Sequence, residues 1–209
     1  MISATFRVTF CCSLLFPMNS SIKIASWNVR RLGRPNKCTD IKKGLQSPSA
    51  SIICLQETKL QEISSFKAIS FLPLGLRSYH FLPSIGASSG VLTAWVDANL
   101  ECTKVQIDRY AISCWFSFRA NDTSFVVTNV YGPCDHASKS DFLDSLIPLS
   151  QMINCPWTIM GDFNLVLRPS DKSSANFNAN EASIFASAIN SLHLQEVPLL
   201  DRLYTWSNQ

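Results

Sequence analysis

The stretch WTIMGDFNLV, Trp157 to Val166, decides how this chain folds. Trp157 to Met160 is a short apolar run of the kind that forms a fully buried strand, and it gives way at Gly161 to the polar residues Asp162 and Asn164. Gly161 tolerates backbone angles that other residues resist and leaves room for a ligand to approach closely. Asp162 is able to take a proton from water, while Asn164 donates to an anionic oxygen and accepts from elsewhere. Taken alone, an Asp after a strand is more often a turn or a helix cap. Three other strands in this chain end on polar residues in the same way, and GDFN gains its weight from them.

The first of these is IKIASWN, Ile22 to Asn28, followed by the basic, turn-rich loop VRRLGRPNK. A short helix is expected over Cys38 to Leu45 with Thr39 as its cap. The second buried strand is SIICL, Ser51 to Leu55, which runs into Gln56, Glu57, Thr58 and Lys59. A helix or loop follows from Ser64 to Leu72. From Tyr79 short β-rich runs come in succession: Tyr79–Leu82, Gly90–Trp95, Leu100–Ile107, Ala111–Phe118 and Ser124–Val130, the last of which leads into Tyr131. The turn signals SIGASSG, VDAN and RANDTS between them favour antiparallel hairpins. Phe142, Leu143, Leu146 and Leu149 share one face of a helix over Ser138 to Met152, which Pro148 bends or ends early. A last helix is expected from Glu181 to Leu192, and LYTWSNQ closes the chain as a strand fragment. Strands with helices before, between and after them predict an α/β fold, a four-layer α/β/β/α sandwich of two mostly antiparallel sheets. The four polar strand ends then gather on one rim, where a rigid scaffold carries a site.

Composition bounds the rest. At 209 residues, 46% of them hydrophobic and 13 of them Phe, the chain is expected to form one globular domain over residues 21–209 behind a poorly ordered leader, 1–20. No run of 18 apolar residues points to a membrane span. The eight Cys form no CxxC pair and no zinc-spaced cluster, so a reducing, nuclear or cytoplasmic setting is expected in preference to secretion. The net charge of +3 hides an asymmetry: residues 1–50 carry eight Lys/Arg against one acid, and the remainder ten against fourteen. The basic excess runs from Lys23 to Lys43 through Arg30, Arg31, Arg34, Lys37, Lys42 and Lys43. It suits either the neutralisation of phosphates or a solvated helix face.

Laid together, SWN (Asn28), LQET (Glu57), NVYGP (Asn129, Tyr131) and GDFN (Asp162, Asn164) resemble, in this order, the endonuclease/exonuclease/phosphatase superfamily. WNVRRLGRPNK, ASSGVLTAW, GDFNLV with the Pro-Ser-Asp-Lys segment after it, and LYTWSN look most like the apurinic-type endonuclease domain of plant LINE-type non-LTR retrotransposons. The resemblance covers Ile22 to Gln209. It implies a DNA-nicking phosphodiesterase that uses Mg²⁺ or Mn²⁺, with DNA as partner and a reverse transcriptase domain in the full-length ancestor. Glu57, assisted by Asn28, would hold the cation, which oxygen ligands suit. Asp162 would orient or deprotonate the attacking water, Asn164 and Tyr131 would bind phosphate oxygens, and Asn129 would support the site from behind. Trp206 would stand beside the nucleic-acid groove, although core packing is the commoner job for such a residue. Each residue also has a plainer reading: Asn28 as a turn cap, Glu57 as a solvated charge, Tyr131 as a core aromatic. His80, His136 and His193 are read as structural or exposed, not as ligands.

The chain departs from the family pattern after Gln209, where relatives continue with a strand bearing a metal-site Asp and a Ser-Asp-His segment that orients the catalytic His. Impaired activity is therefore expected. Arg31 stands where related elements carry Gly, and Ser51 where an Asp commonly precedes the second strand. Two other functions remain open: a DNA-binding remnant without catalysis, and a small-molecule phosphoesterase of the same superfamily.

Overall fold

The computed structural model describes residues 10–15, 21–46, 49–85, 89–121, 123–171 and 176–197. The chain divides into two compact units, Met1–Tyr131 with Cys155–Gly161, and Gly132–Asn154 with Asp162–Gln209.

The first unit is built on two sheets. One takes β1 (Phe10–Leu15), β2 (Ser21–Asn28), β3 (Ile52–Gln56), β5 (Val91–Trp95) and β4 (Ser78–Leu82), in that spatial order. The other takes β6 (Leu100–Ile107), β7 (Ala111–Phe118), β8 (Ser124–Tyr131) and β9 (Trp157–Asp162), whose final residue already counts with the second unit. The RANDTS hairpin holds, with β7 and β8 paired antiparallel, and β6–β7, β3–β5 and β4–β5 are antiparallel as well. VDAN makes no hairpin: β5 and β6, on either side of it, belong to different sheets, so this turn is a crossing from one sheet to the other. β2 and β3 pair parallel, Ile24 against Ile52 through Asn28 against Gln56. A parallel pair needs a crossover connection, and α1 (Pro35–Gln46) supplies it. This β2–α1–β3 unit brings Asn28 and the segment after Gln56 to the same edge of the sheet.

The period-two pattern of the strands assigns their faces. Ile22, Ile24, Ile52, Cys54, Val91 and Trp95 of the first sheet pack on Ile112, Cys114, Phe116, Phe125, Val127 and Met160 of the second. Alternate positions of the first sheet, Ala25, Trp27, Ile53, Leu55, Leu92 and Ala94, face the helices instead. They meet Cys38, Ile41 and Leu45 of α1 and Ala68 and Phe71 of α2 (Ser65–Phe71). The layering is an α/β sandwich, as expected. The second unit carries α3 (Ser138–Asp144), α4 (Leu146–Gln151) and α5 (Ala179–Ser191). Phe142, Leu143, Leu146 and Leu149 are all buried in it. No helix among the described residues is long and apolar enough to cross a membrane.

Several local expectations are corrected. Phe10–Leu15, inside the expected leader, forms β1 and pairs with β2 from Phe10 against Ser26 to Leu15 against Ser21. The sequence reading gave no weight to the open edge of β2, whose backbone groups call for a partner. Helix α1 starts at Pro35, a residue pre-set for the first helical position, and the Thr39 hydroxyl donates back to the Pro35 carbonyl instead of capping. The helix over 138–152 is two helices. Its break follows Asp144, the residue whose carbonyl the Pro148 ring would strike in a continuous helix. β9 is not fully buried, because it lies at the edge of its sheet, and of its residues only Met160 is buried. The strand also does not stop at Gly161 but continues through it. The closing strand fragment, Trp206 included, lies outside the described residues.

Candidate active site

Glu57 is the first residue past β3, and its backbone takes a left-handed φ of +54°. Arg30, Arg31 and Lys59, in the same pair of loops, also have positive φ. Such conformations cost non-glycine residues about 1–3 kcal/mol each and persist only where surrounding contacts enforce them. Here the two loops are zipped to each other beyond the strand ends. Val29 N–H donates to the Gln56 carbonyl (2.9 Å), Arg31 N–H to that of Glu57 (2.7 Å) and Leu32 N–H to that of Thr58 (2.9 Å). On the other side Thr58 N–H donates to Gly90 (3.1 Å) and Lys59 N–H to Ser89 (2.9 Å).

This backbone frame aims the Glu57 carboxylate at two donors. Asn28 Nδ2 reaches Oε1 at 3.0 Å, and the Tyr131 hydroxyl reaches the same oxygen at 2.9 Å. Asn28 Oδ1 accepts from the Arg30 backbone N–H at 3.2 Å, which fixes the amide with its nitrogen toward Glu57. Three of the predicted strand ends therefore meet on one carboxylate, and none of these three side chains is fully buried. The Tyr131 hydroxyl has a single proton, and it goes to Glu57. In this geometry Tyr131 positions the carboxylate.

Asn129 stands behind this group and is wholly buried. Its Nδ2 donates to the Leu92 carbonyl (2.9 Å) and to Thr93 Oγ1 (3.2 Å), and its Oδ1 accepts from Gln56 Nε2 at 2.6 Å. Burial keeps Asn129 from touching a substrate and gives it the supporting place. Sequence reasoning passed over Gln56. Its amide also contacts Ser26 Oγ (3.0 Å) and the Cys54 carbonyl (3.2 Å), so one buried side chain ties β2, β3 and β8 together just behind Glu57. The available signal was a polar residue ending an otherwise apolar strand directly before the candidate ligand.

In the second unit Asp162 and Asn164 form a compact turn. Asp162 Oδ1 accepts from the Asn164 backbone N–H (3.0 Å), and Gly132 N–H donates to the Asp162 carbonyl (2.8 Å). Asn164, with φ +51°, donates through Nδ2 to the Gly132 carbonyl at 2.7 Å. One amide hydrogen and the side-chain carbonyl of Asn164 are not used in that bond. Gly132 is required, because a Cβ there would lie 2.3 Å from the Phe163 carbonyl oxygen. Phe163 is packed between Phe142 (6.0 Å) and Phe185 (5.2 Å), which anchors the turn in the unit's core. A cleft of about 200 Å³ in the same unit, lined by His136, Lys139, Leu143, Leu165, Glu181 and Ile184 among others, includes neither Asp162 nor Asn164.

The basic cluster divides in two. Arg30, Arg31 and Arg34 follow β2, and Lys37 lies in the first turn of α1, on the side of the Glu57 loops. Burial, opposed by Asp40 and reinforced by Arg30, holds the Lys37 ammonium below its ordinary pKa, which marks Lys37 and Arg30 as neighbours. Helix α1 then returns to the start of β3. It carries Lys42 and Lys43 to the opposite edge, where Lys42 Nζ donates to the Ile69 carbonyl at 2.8 Å.

The histidines hold structural places. His80 stacks on Trp95 at 5.4 Å, with burial lowering its pKa; His136 pairs with Glu181; and His193 is exposed. Glu181 also binds Lys139 at 2.8 Å, and these two partners outweigh burial and draw its carboxyl below the usual range. Among the described residues no group of three or more His, Cys, Asp or Glu could hold a metal ion.

Fold and site together define an α/β sandwich in which Asn28 and Tyr131 hold the Glu57 carboxylate where the strands end. The chain belongs to the Endonuclease/Exonuclease/phosphatase family, whose model matches residues 25–208. No curated protein matches it. Among solved structures it is similar to the AP endonuclease LMAP of Leishmania major, at TM-score 0.64 and 16% identity over 86% of this chain and 72% of that one. It is also similar to the APE2 catalytic domain of Xenopus laevis (TM-score 0.59, 20% identity, 80% and 66% covered). The human Nocturnin catalytic domain is a further neighbour (0.55, 17%, 76% and 70%). At these identities the likeness carries the fold alone.

Proposed function

We propose that this chain is a Mg²⁺- or Mn²⁺-dependent DNA endonuclease domain that nicks a phosphodiester strand, of plant LINE-type retrotransposon origin. The observation that carries the reading is the Glu57 carboxylate, held by Asn28 and Tyr131 on a strained, cross-braced loop. Such a strained arrangement suits a group kept ready for a ligand. The AP endonucleases among the structural neighbours favour a nucleic-acid substrate. The ordered motifs from WNVRRLGRPNK to GDFNLV favour the retrotransposon origin.

The donor set fits a hard cation that keeps most of its waters, since Mg²⁺ is commonly held by one or two carboxylates plus substrate phosphate. Glu57 supplies the charge. Asn28, whose amide already contacts Glu57, would assist it with its side-chain oxygen. The chemistry such a cation would supply, held by Glu57 with Asn28, is neutralisation of charge at the scissile phosphate. By the order of the motifs, Asp162 would orient the attacking water and take its proton, and Asn164 would donate to a phosphate oxygen. The attack forms a new P–O bond, and the bond to the leaving nucleotide oxygen breaks.

Relaxation of supercoiled plasmid by the full chain, with Mg²⁺ and with the metal chelated, tests this function. Nicking that appears only with the metal supports it. DNA binding without nicking favours the remnant, a reading supported by the structural commitments of His80 and His136. Hydrolysis of a sugar phosphate in place of DNA favours a phosphatase, as in the mannosyl-6-phosphatase of Bacteroides thetaiotaomicron (TM-score 0.52, 14% identity).

The division of the basic cluster makes a separate prediction. Each phosphate contact contributes about 0.9 to the slope of log affinity against log salt on duplex DNA. Replacing Arg34 and Lys37 together by Ala is expected to lower that slope by about 2. Replacing Lys42 and Lys43 is expected to leave it unchanged. Equal losses from both pairs would mean that the whole of α1 lies along the DNA.

A further inference from the structure

We infer that helix α2 and the turn after it form a docking surface for an anionic lipid membrane. Phe66, Ile69 and Leu74 are its apolar anchors, and Lys42, Lys43 and Arg77 its headgroup contacts. The three anchors stand largely free of the fold within one short segment: Phe66 is 86% exposed, Ile69 60% and Leu74 83%. Helix α2 turns Ala68 and Phe71 inward, into the cluster that also holds Cys38, Ile41 and Leu45 of α1. With about 3.6 residues per turn, Phe66 and Ile69 fall on the opposite, outer face. Leu74 follows in the exposed turn that Leu76 N–H closes onto the Pro73 carbonyl at 3.3 Å. A helix apolar on both faces is ordinarily covered on both. Single exposed apolar residues need no explanation, whereas a cluster of them marks an interaction site.

Charge identifies what covers this face. From Ile63 to Val96 the chain carries no Asp or Glu. Lys42 Nζ donates to the Ile69 carbonyl at 2.8 Å, which pins a cation at the border of the apolar face. Lys43, the next residue, is exposed, and so is Arg77 after the turn. Lys67 does not join them, since its ammonium is held on the Leu32 carbonyl at 3.0 Å. Asp40, the one acid of α1, acts on Lys37.

Apolar side chains bordered by cations suit an anionic bilayer, whose hydrocarbon takes the former and whose headgroups take the latter. Fluid acyl chains close around protruding side chains without a matching groove. In an isologous contact with a second copy, Lys42, Lys43 and Arg77 would face their own counterparts, which opposes that occupant. A DNA duplex offers phosphates but no hydrocarbon for Phe66 and Leu74. The contact is superficial, because α2 is seven residues long and a span needs about 20. It uses the edge to which α1 carries Lys42 and Lys43, away from the Glu57 loops, and is independent of the nuclease reading.

The test sediments the full chain with vesicles of phosphatidylcholine, alone or mixed with phosphatidylserine. The chain is expected to pellet with the mixed vesicles, to stay in solution with phosphatidylcholine alone, and to be released by salt. Phe66→Ser combined with Leu74→Ser alters only exposed positions, so the thermal midpoint should hold while vesicle partitioning falls at least about tenfold. Lys42→Gln combined with Lys43→Gln is expected to weaken partitioning by about tenfold. A chain that leaves the phosphatidylserine vesicles unbound overturns the inference, and so does binding that survives either double substitution intact. A concentration-dependent dimer in the absence of lipid, abolished by the Phe66 and Leu74 substitutions, would overturn it too and give the surface to a second copy.

Discussion

Glu57→Gln is expected to cut metal-dependent nicking by about 10²- to 10⁴-fold, the usual worth of one electrostatic or acid–base group in an active site. The substitution is chosen for what it preserves. In the structure both donors, Asn28 Nδ2 and the Tyr131 hydroxyl, converge on Oε1 alone. A Gln side chain has the same length and retains a carbonyl oxygen able to accept both bonds, so the local network and the thermal midpoint should survive. Only the charge that would hold a cation is lost. Loss of activity at unchanged stability therefore assigns Glu57 to the cation. A variant that nicks at the wild-type rate would reduce Glu57 to a brace for the Asn28 and Tyr131 loops. Glu57→Ala is the less informative change, because it leaves the Tyr131 hydroxyl and the Asn28 amide without their acceptor. It should therefore lower stability and activity together.

Much of this arrangement was legible in the sequence, because alternation and strand-ending polar residues are local signals. Asn28, Glu57 and Tyr131 were each marked by ending an apolar run, and the structure brings those three onto one oxygen. Gln56 was not legible, since a polar residue inside a buried strand reads as an interruption until its partner, Asn129 of β8, is known. That partner is distant in sequence and belongs to the other sheet, so no window along the chain contains both. The spatial division of the basic run from Lys23 to Lys43 was hidden for the opposite reason. Continuous in sequence, the run is divided in space by the crossover helix, which starts near Glu57 and ends at the far edge. β1 was missed because its place depends on what β2 leaves open, and the exposed side of β9 because its position at a sheet edge is a fact of topology.

Gly161→Ala is expected to destabilise the chain by at least about 3 kcal/mol, combining strained backbone with forced overpacking. For a chain of this size that corresponds to a fall of roughly 6–12 °C in the thermal midpoint. The sequence suggests that this glycine leaves space for a ligand. The space is in fact taken by the protein itself: a Cβ at 161 would lie 2.0 Å from the Val130 carbonyl oxygen and 2.9 Å from the Val130 carbonyl carbon and nitrogen. Backbone atoms of a central strand cannot step aside as a flexible side chain would, so β9 would have to lift from β8. The φ of +138° adds a second penalty, since a side chain disfavours that conformation whatever the room around it. Gly75→Ala separates the two costs. Its φ is +97°, yet nothing lies within 4 Å of the added Cβ, so it bears the conformational penalty alone. If packing against Val130 is what makes Gly161 indispensable, Gly161→Ala must lower the melting temperature well beyond Gly75→Ala. Equal shifts in the two variants would show that β9 yields to the methyl group and that backbone angle alone sets the requirement.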